Sequence, residues 1–543
     1  MAIGRKLRLE VYGESHAPFI GMRLDGLPSG IAVDMPALQS FMERRAPGRD
    51  KFSTSRREPD IPEFKGGLKK GVTTGEPLEA IIRNTDTRSG DYERTIPRPG
   101  HADFPSWVKI GRIPPGGGSN SGRMTAAMCI AGGICLQELA RRGISVNARV
   151  CSVGDIAAAK AEGDSVGGIV ECEVNGLPVG LGGPMFDGID GAIAQAIFGI
   201  PGVKGIEFGR GFEACGLKGS QNNDPFIIKD GNVVTSTNNH GGVLGGMTSG
   251  MPIIFRVALK PTPSIYKMQK SVDLKTMENV EFQVRGRHDP CIAMRAVPVV
   301  EALTSFAVLD ALLADEAERP RVCLTLTGKT LSEDIGQFRS QLYFADMVEL
   351  RVDLLDKSER AKAGEFPKML AKVVPWKVPV ILTFRKAADG GAFKGKEEER
   401  LRFFRKNLHS GFDFFDLEEG FGGADLVESA REAGVKIVRS LHKFDGPVKN
   451  IKAKLRSLGR EGDIAKIAFM PRSLRDVNIL FRPVPRSPFP VPHIIIAMGE
   501  LGLPTRVRAA LLGSRWTYAS VGGLKKLGHL SPYELVQRMN CHD

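Results

Sequence analysis

The segment from Arg98 to Arg123 combines a histidine beside a carboxylate with a run of glycines. His101 precedes Asp103 by two residues, and an imidazole can move a proton near neutral pH. The glycines and the polar residues 119–121 lead into an apolar run that predicts a helix over residues 124–139. Free N–H groups at such a helix start can bind an anion. The segment therefore indicates anion binding with proton transfer, and a flexible loop before a capped helix is an equally open interpretation.

Two earlier features carry a proton donor and a cluster of cations. His16 ends a Gly-Glu-Ser-His turn that follows an alternating, strand-like run over residues 7–12. Five arginines and one lysine lie between Arg44 and Arg57, interrupted by proline and glycine, so this segment cannot be a stable helix face. A solvated charged loop and an ordered phosphate clamp are both compatible with it.

In the C-terminal part, charged residues stand where short apolar runs end. Within Ile464–Ala468, the alternation of side chains along a strand puts Lys466 on the same face as both end residues. If that face lines a barrel, the amine lies in an apolar wall that favours its neutral form, and it becomes a candidate Schiff-base nucleophile. The alternative is a structural ion pair with Glu349 or Glu418. His442 alone is more typical of a hydrogen-bonded core residue than of a catalyst.

The elements that must position these residues alternate regularly after Arg321. Eight apolar strand-like runs, each followed by a helical stretch, fill about 220 residues and predict a (β/α)8 TIM barrel with its active site at the carboxyl ends of the strands. A charged stretch ends the preceding helix, which is predicted over residues 298–313, so we expect one domain over residues 1–316 and a second over residues 321–543. The eight runs are Val322–Leu326, Met347–Val352, Val378–Phe384, Phe412–Leu417, Lys436–Ser440, Ile464–Phe469, His493–Ala497 and Tyr518–Val521.

Composition limits the class of protein. The 543 residues suggest two or more domains, and a hydrophobic fraction of 42% is enough for real cores. No apolar run of membrane-spanning length and no secretory segment are expected, so a membrane location is disfavoured and a cytoplasmic one predicted. The eight cysteines form no CxxC pair, which indicates neither a zinc site nor a disulfide framework, and no metal is expected.

The net charge of +13 makes nucleic acid one candidate partner. However, aromatic residues make up only 7% of the chain, and the arginines stand in short clusters beside glycine, proline and histidine. This pattern favours small anionic substrates over nucleic acid. Salt-dependent binding to random DNA would distinguish the two.

Six motifs in order make the N-terminal part resemble chorismate synthase over residues 4–315. They are GESH at 13–16, RRAPG at 44–48, RREPD at 56–60, RPGHAD at 98–103, KPTPS at 260–264 and GRHDPC at 286–291. The resemblance implies a β-α-β sandwich, a homotetramer formed through this domain, and reduced FMN as cofactor, with NADPH as a candidate reductant. It also implies 1,4-elimination of phosphate from 5-enolpyruvylshikimate 3-phosphate to give chorismate.

Carried over by motif, the resemblance assigns proton transfer to His16 and His101, one for the leaving phosphate and one for the flavin, and locates Asp289 near the flavin. The sequence departs from the family pattern at three places: Ala17, Lys51 and the Ser-Asn-Ser run at 119–121. Contacts to the substrate phosphate or to NADPH would fall on Arg45 and Lys51. The implied FMN contacts are Ser119, Asn120, Ser121, Gln221, Asn222, Gly245, Lys260, Pro261, Thr262, Pro263, Ser264 and Arg287.

The C-terminal part resembles type I 3-dehydroquinate dehydratase over residues 321–540. The motifs are VELRVD at 348–353, LTFR at 382–385, SLHKF at 440–444, AKIAFMP at 465–471, and Pro504-Thr505-Arg506. The resemblance implies that Lys466 forms an imine with the substrate ketone and that His442 is its general acid and base. It implies that Asp389, in place of the usual glutamate, orients His442. Substrate contacts would fall on Glu349, Arg351, Arg385 and Arg506, and on Glu534, where the family has an amide.

Together the two resemblances predict a bifunctional lyase of the shikimate pathway. The alternative is an active chorismate synthase joined to a weakly active or non-catalytic dehydratase-like binding domain. The presence of both Lys466 and His442 argues against that alternative.

Overall fold

The computed structural model describes residues 2–48, 58–87, 90, 93–284, 289–374, 376–481, 491–522 and 524–540. The chain divides into two compact units. The first consists of Met1–Lys229 and Val233–Asp315, and the second of Asp230–Asn232 and Glu316–Asp543.

The first unit holds seventeen of the described strands and seven of the described helices. Its strands are β1 (Ala2–Ile3), β2 (Arg8–Gly13), β3 (Phe19–Asp25), β4 (Glu63–Gly66), β5 (Leu68–Lys69), β6 (Val72–Thr73), β7 (Leu78–Arg83), β8 (Ser145–Val153), β9 (Gly168–Asn175), β10 (Val203–Phe208), β11 (Phe226–Lys229), β12 (Asn232–Thr235), β13 (Val243–Leu244), β14 (Met247–Thr248), β15 (Ile253–Leu259), β16 (Gln269–Asp273) and β17 (Glu278–Phe282). Its helices are α1 (Met35–Arg45), α2 (Asp103–Ile110), α3 (Thr125–Arg141), α4 (Ile156–Ala161), α5 (Ile189–Ile197), α6 (Gly219–Asn222) and α7 (Ala293–Glu318).

Two antiparallel sheets enclose a layer of helices. One sheet has the order β1-β2-β3-β7-β4 and the other β10-β15-β9-β8. Helices α3 and α7 cross so closely that a Cβ on Gly132 would lie 2.3 Å from the carbonyl oxygen of Ala302. Helix α7 also reaches the second sheet, where the thiol of Cys172 lies 3.9 Å from the hydroxyl of Thr304. The predicted β-α-β sandwich is therefore confirmed, with one apolar core formed by both sheets and the helices between them.

A turn that locks a strand to the next helix is built twice in this unit. Asp25-Gly26-Leu27-Pro28 follows β3, and Asn175-Gly176-Leu177-Pro178 follows β9. In the first copy the hydroxyl of Thr73 donates to Pro28 O at 2.7 Å and accepts from Ile31 N at 2.9 Å. In the second the hydroxyl of Thr248 donates to Pro178 O at 2.5 Å and accepts from Leu181 N at 2.9 Å. Each half of the unit thus has the same lock, in which a threonine hydroxyl bonds to both sides of the turn.

Helix α7 is longer than predicted, because it begins at Ala293 and carries Pro298 inside it. Its residues Ala293–Ala317 are long and apolar enough to cross a membrane, which corrects the expectation that no run reaches that length. In the most apolar window, however, 89% of the helix is buried inside the protein. The helix is hydrophobic all round because it lies in the core of the sandwich.

The second unit holds eight further strands and nine helices among its described residues. The strands are β18 (Arg321–Leu326), β19 (Met347–Arg351), β20 (Val380–Thr383), β21 (Phe414–Glu418), β22 (Lys436–Lys443), β23 (Ile464–Phe469), β24 (His493–Ala497) and β25 (Trp516–Ala519). The helices are α8 (Leu331–Ser340), α9 (Lys357–Arg360), α10 (Phe366–Leu370), α11 (Glu397–Lys406), α12 (Gly423–Glu432), α13 (Ile451–Glu461), α14 (Leu474–Asn478), α15 (Leu503–Val507) and α16 (Pro532–Asn540).

These strands form one parallel sheet in the order β24-β23-β22-β21-β20-β19-β18-β25, an almost closed barrel. All eight predicted strands are confirmed, with ends that differ by a few residues. Ile464 and Ala468 pack in the interior cluster with Ile494 and Trp516, whereas Ile467 packs outward against helix α13. The predicted inward face of β23, which carries Lys466, is therefore confirmed.

Candidate active sites

A cavity of about 720 Å³ in the first unit collects most of the residues predicted for it. One wall is apolar and includes Val11, Met128, Ile200 and Leu303. The polar side chains of the lining are His16, Arg45, Arg98, His101, Ser119, Asn120, Ser121, Arg123, Thr125, Lys204, Lys260, Thr262, Ser264, Asp289 and Arg295, and Pro261 and Pro263 also line the cavity. The cavity can therefore hold a ligand that has both a flat apolar part and anionic groups.

His101 is held by a buried carboxylate. Its Nδ1 lies 2.7 Å from Oδ1 of Asp103, and Nε of Arg98 donates to Oδ2 of Asp103 at 2.7 Å. Burial lowers the pKa of His101 below its ordinary value, against the opposing effect of Asp103. The guanidinium of Arg98 and the bond from His101 hold the pKa of Asp103 well below its usual range, although burial alone would raise it. The ring is thus a neutral, oriented proton acceptor near pH 7.

The glycine run brings the backbone against both histidine rings. Gly116, Gly117 and Gly118 form a tight turn with φ of 61°, 86° and 56°, and helix α3 begins only at Thr125. A Cβ on Gly116 would lie 2.1 Å from Cε1 of His16, and one on Gly117 would lie 2.9 Å from Cε1 of His101. The anion binding predicted for this segment stays a prediction, and the structure adds a second role for the glycines. Their lack of side chains makes room for the two rings.

The loop over residues 260–264 supplies cationic and hydroxyl groups to the same cavity. The ammonium of Lys260 donates to Gly100 O, one residue before His101. Burial, and then the nearby charge of Lys204, lower the pKa of Lys260. The hydroxyl of Ser264 accepts a hydrogen bond from Arg98 at 3.1 Å. This loop therefore supports the histidine segment as well as lining the cavity.

Arg45 lines the cavity but is engaged by protein groups. It is buried, and it donates to Asp60 at 2.8 Å, to the hydroxyl of Thr125 at 3.1 Å and to Gly122 O at 2.9 Å. Asp60 also accepts from Arg123, and both arginines lower its pKa against the effect of burial. Arg45 therefore also has a structural role, because its hydrogen bonds hold the chain around Gly122. The phosphate contact predicted for it stays a prediction.

Other predicted contacts are dispersed. Asp289 lines the cavity and pairs with Arg295 at 2.6 Å. Gln221, Asn222 and Gly245 do not line the cavity of this chain. Gln221 instead accepts from the N–H of Lys218 at 2.9 Å, within its own short helix. Lys51 and Arg287 lie outside the described residues.

In the barrel, Lys466 lies among carboxylates and not in an apolar wall, which corrects that prediction. Its Nζ is 2.9 Å from Oδ2 of Asp416 and 3.7 Å from Oε1 of Glu349. It also lies 4.0 Å from the centre of the Tyr518 ring. The alternative pairing with Glu349 is thus observed, whereas Glu418 is bound by Arg400.

Asp416 was not identified from the sequence, although it is buried inside the barrel. Asp416 lies on the same face of β21 as Phe414 and Glu418, and this period of two is the sequence signal that could have identified it. The charges of Arg385 and Lys466 drive its pKa far below the usual range, although burial opposes them. Asp416 is therefore an anion that faces two cations.

His442 lies one inward position beyond the pair Ser440 and Lys466 on neighbouring strands. Nη1 of Arg385 lies 2.8 Å from its Nε2. Burial, followed by the charges of Arg385 and Lys466, lowers the pKa of His442 well below its ordinary value. The predicted orienting role of Asp389 is not supported, because Asp389 pairs with Lys386 at 3.4 Å on a turn outside the barrel interior.

The four predicted substrate-binding residues in the barrel wall are all buried. Glu349 accepts from the hydroxyls of Thr325 and Thr383, and Arg351 binds Asp353. Arg385 binds Asp416 at 2.9 Å. Arg506 differs from them, because its partners are the carbonyl oxygens of Tyr518 and Leu527.

The substrate contact predicted for Glu534 stays a prediction. Its side chain is exposed at the start of α16, where it accepts from Ser531 N and Oγ at 2.9 Å. His529, five residues earlier, is instead the residue on which the charges of Arg506, Lys466 and Arg351 act. A short loop over residues 527–530 packs at the barrel mouth, and no sequence pattern marked it.

Among the described residues, no group of three or more histidine, cysteine, aspartate or glutamate side chains could hold a metal ion.

Two family models match the chain. The chorismate synthase model matches residues 7–160 and 154–313, and the type I 3-dehydroquinase model matches residues 322–542. The chorismate synthase of Thermococcus kodakarensis is 45% identical over 348 residues, which cover 58% of this chain and 98% of that protein. That of Methanosarcina barkeri is 40% identical over 358 residues, with 59% and 98% covered.

Among solved structures, a chorismate synthase is 26% identical with a TM-score of 0.45, covering 58% of this chain and 93% of that one. The 3-dehydroquinate dehydratase of Geobacillus kaustophilus is 28% identical with a TM-score of 0.35, covering 41% and 90%. By the family matches, the chain belongs to the chorismate synthase family over residues 7–313 and carries a type I 3-dehydroquinase domain over residues 322–542, which makes it a bifunctional lyase of the shikimate pathway.

Proposed function

We propose that the first domain forms chorismate by 1,4-elimination of phosphate from 5-enolpyruvylshikimate 3-phosphate with reduced FMN. The observation that carries this proposal is the cavity lined by both His16 and His101. The cavity also fits a flavin, since it joins an apolar wall to Lys260 and to the hydroxyl-bearing residues 119–121. FMN supplies electron density that a histidine cannot, and the protein's part is to bind, orient and insulate it.

The chain's own groups have distinct tasks in this proposal. Cations around the cavity offset the growing charge of the departing phosphate, and a nearby imidazole gives it a proton. His101, oriented by Asp103 at 2.7 Å, is suited to proton transfer at Nε2. His16 lies beside the hydroxyl of Ser15 at 3.1 Å. One of the two serves the phosphate, and the other keeps the flavin's proton in place.

The first domain is tested with chemically reduced FMN and the enolpyruvyl substrate under anaerobic conditions. We expect chorismate and free phosphate in equal amounts, and His101→Ala should remove most of the turnover. Unchanged turnover in that variant would refute the role of His101. Phosphate released without chorismate would refute the 1,4-elimination.

For the barrel, we propose dehydration of 3-dehydroquinate through an imine on Lys466. The amine must be neutral before it attacks the ketone, and the neutral imidazole of His442 is the nearby base that can take its proton. The carboxylates of Asp416 and Glu349 face the amine and stabilise the cationic imine. The buried pair of Lys466 and Asp416 carries this proposal.

The amine adds to the ketone carbon and water leaves, giving the imine. His442 removes a proton from the neighbouring carbon, which the imine acidifies, and the hydroxyl at the next carbon departs as water with that proton. Hydrolysis of the imine then returns free Lys466 and 3-dehydroshikimate.

Arg506 is suited to hold the substrate carboxylate. It is buried, and among the described residues only carbonyl oxygens bind it. Burial lowers its pKa to about 10, because a buried cation without a counter-ion is costly. A bound carboxylate would supply that counter-ion and form a bidentate pair.

Borohydride added during turnover of 3-dehydroquinate tests the barrel. The intact mass should rise by one reduced adduct, and peptide mapping should locate it on Lys466. Lys466→Met should abolish both adduct and turnover, whereas Lys454→Met, at a surface ion pair of the same barrel, should retain them. Wild-type turnover without an adduct would refute the imine.

We also propose that the chain forms a homotetramer through its first domain, that its partners are small anions, and that it works in the cytoplasm. Exposed apolar side chains on the first unit, such as Phe212 and Phe226, support a self-association surface. Light scattering at micromolar concentration should give four times the chain mass, and Phe226→Lys should lower it. A monomeric wild type would refute the assembly.

A further inference from the structure

The loop over residues 527–530 is pinned at the carboxyl ends of two neighbouring barrel strands. Gly528 has φ of 76°, and a Cβ there would lie 2.3 Å from Gly499 O, just after β24. Ser520 N, just after β25, donates to Leu530 O at 2.9 Å. The loop is thus held on both sides, and its residue His529 lies at the end of the barrel where catalytic groups of this architecture stand.

The imidazole of His529 has one engaged and one open nitrogen. The backbone of Ala519 hydrogen-bonds the ring. Nδ1 is buried and has no hydrogen-bond partner among the described residues. Because a carbonyl can only accept, the ring donates through Nε2, and Nδ1 is left as a lone-pair acceptor. A buried acceptor without a partner is unfavourable, so this atom calls for a donor from a ligand.

The surroundings keep this acceptor neutral. Burial and then the positive charge of Arg506 hold the pKa of His529 well below its ordinary value, and Lys466 and Arg351 act in the same direction. Arg506 itself donates to Leu527 O at 3.0 Å, in the same loop. The loop over residues 527–530 therefore carries a neutral acceptor that lacks a donor, and it is bonded to a cation of helix α15 that lacks a carboxylate.

We propose that His529 is a further substrate-binding residue of the barrel, whose Nδ1 accepts a hydrogen bond from a hydroxyl of a cyclic hydroxy acid while Arg506 binds its carboxylate. The ligand class follows from this pair, because a guanidinium selects a carboxylate and an unprotonated nitrogen selects a hydroxyl donor. This inference rests on the proposed dehydratase function, since 3-dehydroquinate is such a hydroxy acid. A substrate without that hydroxyl would leave Nδ1 of His529 buried and unpaired. The contact would therefore discriminate against such substrates.

The test compares two substitutions on the full chain. His529→Gln keeps a neutral acceptor oxygen, and His529→Leu removes it with little change in volume. His409→Leu is the control, because His409 is exposed in the segment between α11 and β21. Thermal unfolding of each variant reports on folding. Calorimetry measures the binding of quinate, which has the carboxylate and hydroxyls but no ketone for Lys466.

We expect His529→Leu to weaken quinate binding and raise KM for 3-dehydroquinate by about tenfold, the size of one hydrogen bond to a neutral group. His529→Gln should stay within about threefold of wild type, and His409→Leu should be unchanged. Equal losses in the Gln and Leu variants, or no loss in either, would overturn the proposal. So would wild-type protein that does not bind quinate.

The two proposals fail separately. If quinate binding depends on His529 but no borohydride adduct forms, the imine mechanism is wrong and the hydroxyl contact stands. If the adduct forms on Lys466 and the His529→Leu variant binds and turns over normally, the contact is wrong and the imine stands.

Discussion

Nζ of Lys466 lies 2.9 Å from Oδ2 of Asp416 across the interior of the barrel. The two residues stand on β23 and β21, with Ser440 of the strand between them also bonded to Asp416 at 2.6 Å. The carboxylate holds the amine in position, and only a neutral amine can attack a ketone. Asp416 therefore positions the amine of Lys466, whereas His442 is needed to remove its proton.

Removing the carboxylate should destabilise the barrel. Asp416→Asn leaves the buried cations Lys466 and Arg385 without their shared anion, and we expect a loss of about 3 kcal/mol in the free energy of unfolding. Hydrogen exchange of the strand peptides, followed by mass spectrometry, reports this loss locally. Asp425→Asn breaks an exposed pair with Arg405 and should cost less than about 1 kcal/mol. Equal protection in both variants would contradict the structural role of Asp416.

The buried pair of Asp103 with Arg98 should matter to the first reaction. Asp103→Asn replaces the carboxylate that orients His101 with a neutral amide, and it should lower the rate of chorismate formation by about 10² or more. Asp25→Asn, at the exposed pair with Arg23, is the matched control and should leave the rate within about twofold. A normal rate in Asp103→Asn would show that His101 needs no orientation.

The glycines beside the histidines give a steric prediction. Gly117→Ala should displace the ring of His101, since the added Cβ would lie 2.9 Å from Cε1, and chorismate formation should fall by about tenfold or more. Gly111→Ala carries the same left-handed strain with open space around it, so it should cost only about 1 kcal/mol of stability. Equal rates in the two variants would refute the steric argument.

The regular elements were predictable because they depend on local periodicity. The eight strands and the inward face of Lys466 follow from alternation alone. The surroundings of Lys466 were not predictable, because Asp416 reaches it from a strand fifty residues away in the chain. The local pairing of Glu534 with Ser531 and of Asp389 with Lys386 was not predictable for a similar reason: short motifs do not reveal which loop residue packs against the barrel mouth.

The raised pKa of Asp334 should give the protein an unusual pH dependence of stability. Burial raises its pKa to about 7, and Glu333 adds to the effect, although the N–H of Gly328 opposes it. The folded state then holds a proton that the unfolded chain releases near pH 4, so stability falls as pH rises from about 4 to about 7.

Asp334→Asn removes this loss and keeps an acceptor for Gly328. We expect the variant to be more stable than wild type at pH 8, by up to about 4 kcal/mol, and similar to it near pH 4. Urea unfolding at both pH values measures the difference. A constant gap between variant and wild type across this range would contradict the raised pKa.

The same pair of threonine hydrogen bonds occurs at Thr73 and at Thr248, so one substitution can be compared at two equivalent positions of the first domain. The same hydroxyl closes the same turn in both halves, but the strands β7 and β15 that follow the two locks lead to different loops, and only β15 continues into Lys260–Ser264 on the cavity. Thr73→Val and Thr248→Val therefore remove identical bonds in unlike settings. If the two variants lose equal stability but only Thr248→Val lowers the affinity for FMN, the rigidity of the second half, which leads to the cavity, matters for ligand binding.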